Sequence, residues 1–355
     1  MPVAAIVPFQ ENRFMRTAEL AAPLAFRLTE MPNEDPAPGE VQVRVESVGI
    51  CGSDLHAYKE GQVGGTPNVY PMVLGHEPSG VVVKTGAGVT GIAAGDRGFF
   101  EPALYCYHCE FCMSGRHNVC ANIRFLSNPN HPGFFREFVN LPVTNFVPIP
   151  ASVSFDAATL AEPLAVAVHS LRLASIAMGE TVAVIGAGPI GLLTIASLRA
   201  AGASRIWAVE PLAHRRELAL TMGAHAALAP EEAVAEILRA TGQRGVDCAI
   251  DCCAGADTVP QAIRITRNAG RVALTGIHST PTFTVDASGM RRKEITLFNV
   301  RRSNHETHLA MDLLIAHPDW FAPLVTHTRP LDQIGEAFDL TSHYRDGVGK
   351  MIIRP

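Results

Sequence analysis

Four cysteines, Cys106, Cys109, Cys112 and Cys120, stand within fifteen residues of 101-EPALYCYHCEFCMSGRHNVC-120, spaced C-x2-C-x2-C-x7-C. Four thiolates this close can complete a tetrahedral Zn²⁺ site with no coordination position left for a substrate, which suits structure rather than catalysis. Short cysteine spacings also hold iron–sulfur clusters, so the spacing alone does not name the metal. A catalytic metal needs fewer protein ligands and an open position. Candidates for that role lie apart in the chain: Cys51 in 49-GICGSDLH-56, His76 and Glu77 in 75-GHE-77, and Glu162 in 161-AEPL-164. Taken singly, each has a plainer reading. Cys51 would serve as a small buried hydrophobe, His76 as a satisfied core histidine, and the two glutamates as helix-start or surface carboxylates.

A second chemistry is written at 181-TVAVIGAGPIGLLTIASL-198, where Gly186, Gly188 and Gly191 fit G-x-G-x-x-G around Pro189 and Ile190. An apolar strand precedes the motif and a helical pattern follows. Glu210 ends the next strand, nineteen residues past the third glycine. That context predicts a dinucleotide site. The first glycine permits the tight turn, the second lets backbone approach a pyrophosphate, and the third lets helix pack on strand. The N–H groups of the helix start then face the phosphates. Glu210 can accept bonds from the ribose hydroxyls and repels a 2′-phosphate, which favours NAD over NADP. His214, Arg215 and Arg216 follow closely, and an arginine there could instead hold such a phosphate.

These residues need elements to position them. Up to about residue 160 the chain shows short β-like runs broken by Gly and Pro, such as VQVRVESVGI (41–50), SGVVVKTG (79–86) and FVNLPVTNFVPIP (138–150). This texture predicts a barrel-like or folded antiparallel domain. From PLAVAVHSLRLASIA (163–177), read as a helix, strands and helices alternate as far as about residue 299, which predicts a parallel doubly wound sheet. The tail offers a helix (HETHLAMDLLIAH), a strand and turn (FAPLVTHTRPL) and a last strand (KMIIRP), expected to fold back onto the first domain. The division is therefore 1–162, with a metal lobe at about 101–122, then 163–299, then a return over 300–355.

The 355 residues carry a net charge of −5 without long runs of like charge, which opposes nucleic acid as the main partner. The acidic flank CEFC opposes a nucleic-acid-binding zinc module in the same way. The eighteen uncharged residues 181–198 reach the length of a membrane span, but their glycine spacing reads as strand, turn and helix. The start, MPVAAIVPFQENRF, lacks the pattern of a secretory signal, and the cysteines do not resemble a secreted disulfide framework. A cytoplasmic protein is expected, with Cys248, Cys252 and Cys253 as core or near-cofactor residues without a metal role.

The segments GICGSDLH, PMVLGHEPSG, AAGDR, the cysteine lobe, AEPLAVAVH, VAVIGAGPIG, LVTHTRPL and KMIIRP together resemble the zinc-dependent medium-chain alcohol dehydrogenases, and among them the sorbitol (polyol) dehydrogenases. The resemblance implies a GroES-like catalytic domain with an inserted Rossmann domain. It also implies one structural and one catalytic zinc, the latter held by Cys51, His76 and a carboxylate from Glu77 or Glu162, with Glu162 alternatively on a zinc-bound water or a substrate hydroxyl. Zinc would lower the pKa of a bound alcohol so that hydride passes to the nicotinamide. Ser53 and His56 match the family's proton-relay positions, with an exposed loop histidine as the plain alternative. Thr275, Gly276, Ile277, Val300 and Arg301 are expected at the cofactor.

In 300-VRRSN-304, Arg301 fits the arginine of the family's Arg-aromatic pair, but Arg302 stands where a tyrosine is expected. Ala57 also replaces a frequent tyrosine. Paired arginines could meet a sugar acid's carboxylate, or Arg302 could face solvent or another subunit. The expected substrate is a polyol or sugar-derived alcohol, with an aldonate or an L-threonine-type amino alcohol as alternatives. A homotetramer follows from the resemblance alone.

Overall fold

The computed structural model describes residues 13–128, 130–278 and 282–355. Most of the N-terminal stretch considered above as a signal, residues 1–12, lies outside these.

Six parallel strands form one sheet in the spatial order Ala226–Leu228, Arg205–Val209, Thr181–Ile185, Val246–Asp251, Thr266–Leu274 and Thr296–Asn299. Numbered along the chain this is 3-2-1-4-5-6, the doubly wound order whose crevice opens at the carboxyl ends of strands 1 and 4. The strands Thr181–Ile185 and Val246–Asp251 are buried almost end to end because helices cover both faces. The apolar run 181–198 divides into that first strand and the helix Pro189–Ala200, with Gly188 as N-cap and Pro189 in the first turn. No helix among the described residues is long and apolar enough to cross a membrane.

A second, seven-stranded sheet runs Phe146–Pro148, Arg97–Phe100, Glu77–Thr85, Glu40–Gly49, Lys350–Arg354 and Val325–Pro330, with Phe138–Pro142 also pairing to Glu40–Gly49. Its last two strands come from the chain's end. The final strand lies antiparallel to Glu40–Gly49, Ile352 opposite Gly49, while Gly49 also pairs with Glu77 on its other side. This register sets Lys350 beside Glu77. Val41, Val43, Val45, Phe100, Phe135, Phe338 and Met351 form the core of this part. A separate apolar cluster joins the two sheets through the helix Ala161–Leu173, which packs Leu164, Ala165 and Val168 with Leu192, Ala196 and Leu314.

Two local readings differ from expectation. The helix expected at 163–177 begins at Ala161, so Pro163 is its third residue, and it ends at Leu173 before Ser175 takes a left-handed φ of 51°. The segment after Cys51, where the plain alternative for His56 is an exposed loop position, is the helix Gly52–Glu60. Asp54, three residues past the N-cap Cys51, accepts its backbone N–H at 3.0 Å and so fixes the helix start.

Candidate active site

The helix start at Cys51 and the turn before the strand Glu77–Thr85 bring Cys51, His76 and Glu77 together, one ligand atom of each within 4.8 Å of the others. Glu162 is not part of that group. It stands in the first turn of the helix Ala161–Leu173, and burial pushes its pKa up to about 8, opposed by His76 and reinforced by Glu77 and Glu101. Glu77 is fully buried and forms an ion pair with Lys350, itself buried. Burial favours a neutral amine, but Glu77 and Cys51 outweigh it and hold the Lys350 pKa above its ordinary value. There is no space for a side chain at Gly49, since a Cβ there would stand 2.1 Å from Glu77 Oε2.

Asp54 ties the metal-ligand candidates to one another. Besides Cys51 N–H, it accepts from Gly75 N at 3.3 Å and Ser127 Oγ at 3.3 Å, and its Oδ1 lies 3.4 Å from His76 Nδ1. Burial opposes its charge, but the attraction of His76 and these hydrogen bonds hold its pKa below the usual carboxylate value. In return Asp54 and Cys51 raise His76 well above an ordinary histidine, against the opposing effect of burial. A buried carboxylate on one ring nitrogen leaves the other directed at a metal, the arrangement that orients ligating histidines elsewhere. The donor set of a thiol, an imidazole and a carboxylate, with the buried Glu77 Oε1 lacking a hydrogen-bond partner, fits zinc. Sequence reasoning missed Asp54 and Lys350. Asp54 had a signal, a capping-box spacing with cysteine in place of serine, whereas Lys350 had none.

The expected relay is only partly assembled. Ser53 Oγ lies 3.4 Å from His76 Nε2, while His56 Nδ1 bonds Glu60 Oε1 at 2.8 Å one turn on. Arg302 does not face solvent. Its guanidinium carbon stacks 4.0 Å from the Phe125 ring centroid, and Phe125 in turn lies 5.3 Å from the His76 ring.

The four cysteines also converge, their ligand atoms within 4.8 Å. Sulfur separations are 3.5 Å for Cys106–Cys120 and 3.9 Å for both Cys106–Cys112 and Cys109–Cys120. The edge of a tetrahedron with Zn–S of about 2.3 Å is about 3.8 Å, whereas a disulfide would need about 2.05 Å. All four are free thiols and fit one closed metal site. The N–H of His108 helps draw Cys106 down to about 5, as a metal thiolate requires.

At the dinucleotide motif, Gly186 has φ +90° and packs on Cys253, 2.7 Å from where its Cβ would stand. A Cβ on Gly191 would lie 1.8 Å from Gly186 O. Glu210 is buried and accepts Ala187 N–H at 2.8 Å and Leu212 N–H at 3.0 Å, so it braces the turn from which ribose hydroxyls would be met. Arg216 is committed to the Glu210 and Pro211 carbonyls. Arg215 is buried, near Gly188 and stacked over Tyr344 at 4.6 Å. Thr275 and Gly276 both donate to Asp251 O, at 2.8 and 2.9 Å, beyond the strand Thr266–Leu274, and Val300 N–H bonds Leu274 O at 2.9 Å. Ile277 is 46% exposed, and Arg301 is exposed with its carbonyl held by Asn118 at 3.0 Å.

A Rossmann sheet inserted into a GroES-like sheet, with two thiol-containing metal-ligand clusters, defines a zinc-dependent medium-chain dehydrogenase. Two family models match: the alcohol dehydrogenase GroES-like domain over residues 37–151 and the zinc-binding dehydrogenase domain over 189–316. Human sorbitol dehydrogenase is 34% identical over 331 residues, 92% of each chain, and that of Bacillus subtilis (strain 168) is 30% identical over 345, 96% of this chain and 97% of its own. L-idonate 5-dehydrogenase of Vitis vinifera is 32% identical over 314 residues, 86% of this chain and 85% of its own. Among solved structures, a zinc-binding dehydrogenase of Sinorhizobium meliloti 1021 bound to NADP aligns with TM-score 0.88 and 30% identity, over 97% of this chain and 100% of its own. An alcohol dehydrogenase of Escherichia coli CFT073 with NADH aligns with TM-score 0.88 and 28% identity at the same coverage. This chain belongs to the zinc-binding alcohol dehydrogenase family. It is an oxidoreductase of the polyol type, using zinc and a nicotinamide cofactor on a small-molecule alcohol.

Proposed function

We propose that the protein oxidises a secondary hydroxyl of a polyol or sugar-derived alcohol to a ketone, with NAD as hydride acceptor. The convergence of Cys51, His76 and Glu77 from separate segments into one buried donor set carries this reading. Residues 1–162 and 300–355 would form the catalytic unit and 163–299 the cofactor unit.

Cys51, His76 and a carboxylate hold the catalytic zinc, and Cys106, Cys109, Cys112 and Cys120 a structural one. When bound, the catalytic zinc supplies a Lewis acid that makes the substrate hydroxyl more acidic. Glu77, with one oxygen engaged by Lys350, has the other for the metal, while Glu162 orients a substrate hydroxyl nearby. Ser53, beside His76, takes the released proton, and His56, paired with Glu60 and 28% exposed at its side chain, passes it to solvent. The glycine turn and helix Pro189–Ala200 receive the pyrophosphate. Glu210 meets the adenosine ribose, which disfavours a 2′-phosphate. Thr275, Gly276, Ile277, Val300 and Arg301 line the nicotinamide end. By family likeness the protein assembles as a tetramer, and its reduced or metal-bound cysteines favour the cytoplasm.

The test is cofactor reduction with sorbitol, xylitol, galactitol and L-threonine, supplied with NAD or NADP, before and after zinc chelation. Chelator-sensitive turnover with NAD is expected. Turnover of L-threonine alone, or turnover indifferent to the chelator, would overturn the reading.

A further inference from the structure

Arg302 is the group at this site whose chemistry the polyol reading does not absorb. Its guanidinium carbon lies over the Phe125 ring, 4.0 Å from the centroid, and the same ring lies 5.3 Å from that of His76. Its Nη1 is buried and has no hydrogen-bond partner. Glu162, Tyr105 and Glu101 lie close enough to attract it, and burial with the neighbouring Arg301 brings its pKa down only to about 10, so the charge persists at neutral pH. Glu101 is already engaged, accepting Thr307 Oγ1 at 2.9 Å.

The backbone is fixed to hold Arg302 in this place. Arg302 has a left-handed φ of 53°, a conformation rarely adopted outside glycine. The cysteine lobe grips the segment on both sides of it. Asn118 Nδ2 donates to Arg301 O at 3.0 Å, His117 N donates to Asn304 Oδ1 at 3.0 Å, and Asn304 Nδ2 donates to Gly115 O at 2.9 Å. His305 Nε2 and His117 Nδ1 meet at 2.7 Å.

We propose that Arg302, clamped by the cysteine lobe and stacked on Phe125, receives an oxyanion carried on the substrate a few carbons from the oxidised hydroxyl. A buried N–H left unpaired is costly, and a planar guanidinium matches the paired oxygens of a carboxylate or phosphate better than a lone hydroxyl. The substrate class is thus a hydroxylated chain ending in an anion, such as an aldonate or a polyol phosphate. Asn118 acts as a positioning residue through the Arg301 carbonyl.

This inference rests on the polyol-type reading, and two measurements separate their failures. In the first, kcat/KM is compared for sorbitol, gluconate and sorbitol 6-phosphate in the wild type, Arg302→Gln, Arg302→Lys and Asn118→Ala. In the second, the same three compounds are titrated into the zinc-loaded enzyme with NADH, which reports affinity without turnover. One anion should exceed sorbitol in both measurements, gluconate if the group is a carboxylate and the hexitol phosphate if it is a phosphate. Arg302→Gln should lower affinity for that anion about 100-fold and for sorbitol far less. Arg302→Lys should recover part of the loss, and Asn118→Ala should raise KM for the anion with kcat held.

Sorbitol bound as tightly as both anions would overturn the inference. So would equal losses on all three compounds, since Arg302 would then serve Glu162 or the fold. Absence of turnover across the panel would count against the polyol reading, while the titration would still decide the role of Arg302.

Discussion

Replacing Asp54 by Asn keeps the volume of a buried residue and removes its charge. Asp54 accepts from Cys51 N, Gly75 N and Ser127 Oγ at 3.0–3.3 Å and faces His76 Nδ1 at 3.4 Å. An amide has one accepting atom where the carboxylate has two, so one of these N–H groups would meet an NH₂ group, donor against donor. Hydrogen bonds to a charged group contribute about 1.5–3 kcal/mol, and losing the orientation of a ligating histidine costs roughly 10–100-fold in metal affinity. The two ranges agree at the level of one lost bond. Asp54→Asn should therefore fold, keep the metal of the cysteine lobe, and lose catalytic-site zinc about 10–100-fold more readily in buffers of graded free zinc.

The pH dependence has a definite sign. Asp54 and Cys51 raise the His76 pKa, so the metal-free site holds a proton that zinc must displace, and zinc affinity climbs with pH. Without the Asp54 charge His76 binds its proton less tightly and competition weakens. The deficit of the variant should thus be widest at alkaline pH and narrow as pH falls. Zinc affinity within twofold of wild type at alkaline pH, or loss of both metals together, would contradict this role of Asp54.

Lys350→Met leaves the Glu77 carboxylate buried without its partner, and stability in urea should fall by about 3–5 kcal/mol. A loss below about 1 kcal/mol would mean that the ion pair barely contributes. Gly191→Ala sets a Cβ 1.8 Å from Gly186 O, so the turn must open. NADH binding, followed by fluorescence, should drop at least tenfold while the zinc content stays the same. Chelation should strip the catalytic zinc before the lobe's zinc, because four thiolates leave the lobe no open position. Two metals lost at one rate would contradict that ordering.

Local spacing was enough for the parts whose ligands come from one short stretch. The cysteine lobe closes within fifteen residues, and the glycine motif lies between its own strand and helix, so short-range geometry determines both. The alternation of strand and helix from residue 163 announced the doubly wound sheet for the same reason, since each element carries its own period. The catalytic donor set was legible only through family likeness, because singly Cys51 and His76 look like ordinary core residues and Glu77 like a helix-start or surface carboxylate. Asp54 left a faint mark in its capping-box spacing. Lys350 left none: it reaches Glu77 because the chain's last strand pairs with Glu40–Gly49 in one particular register, and a one-residue slip would turn its side chain to the other face. The inward turn of Arg302 likewise depends on a left-handed backbone held by Asn118 and Asn304, contacts that span nearly two hundred residues. The sequence determined the chemistry available to this protein, while long-range strand register and a clamped loop decided which charges meet at the metal.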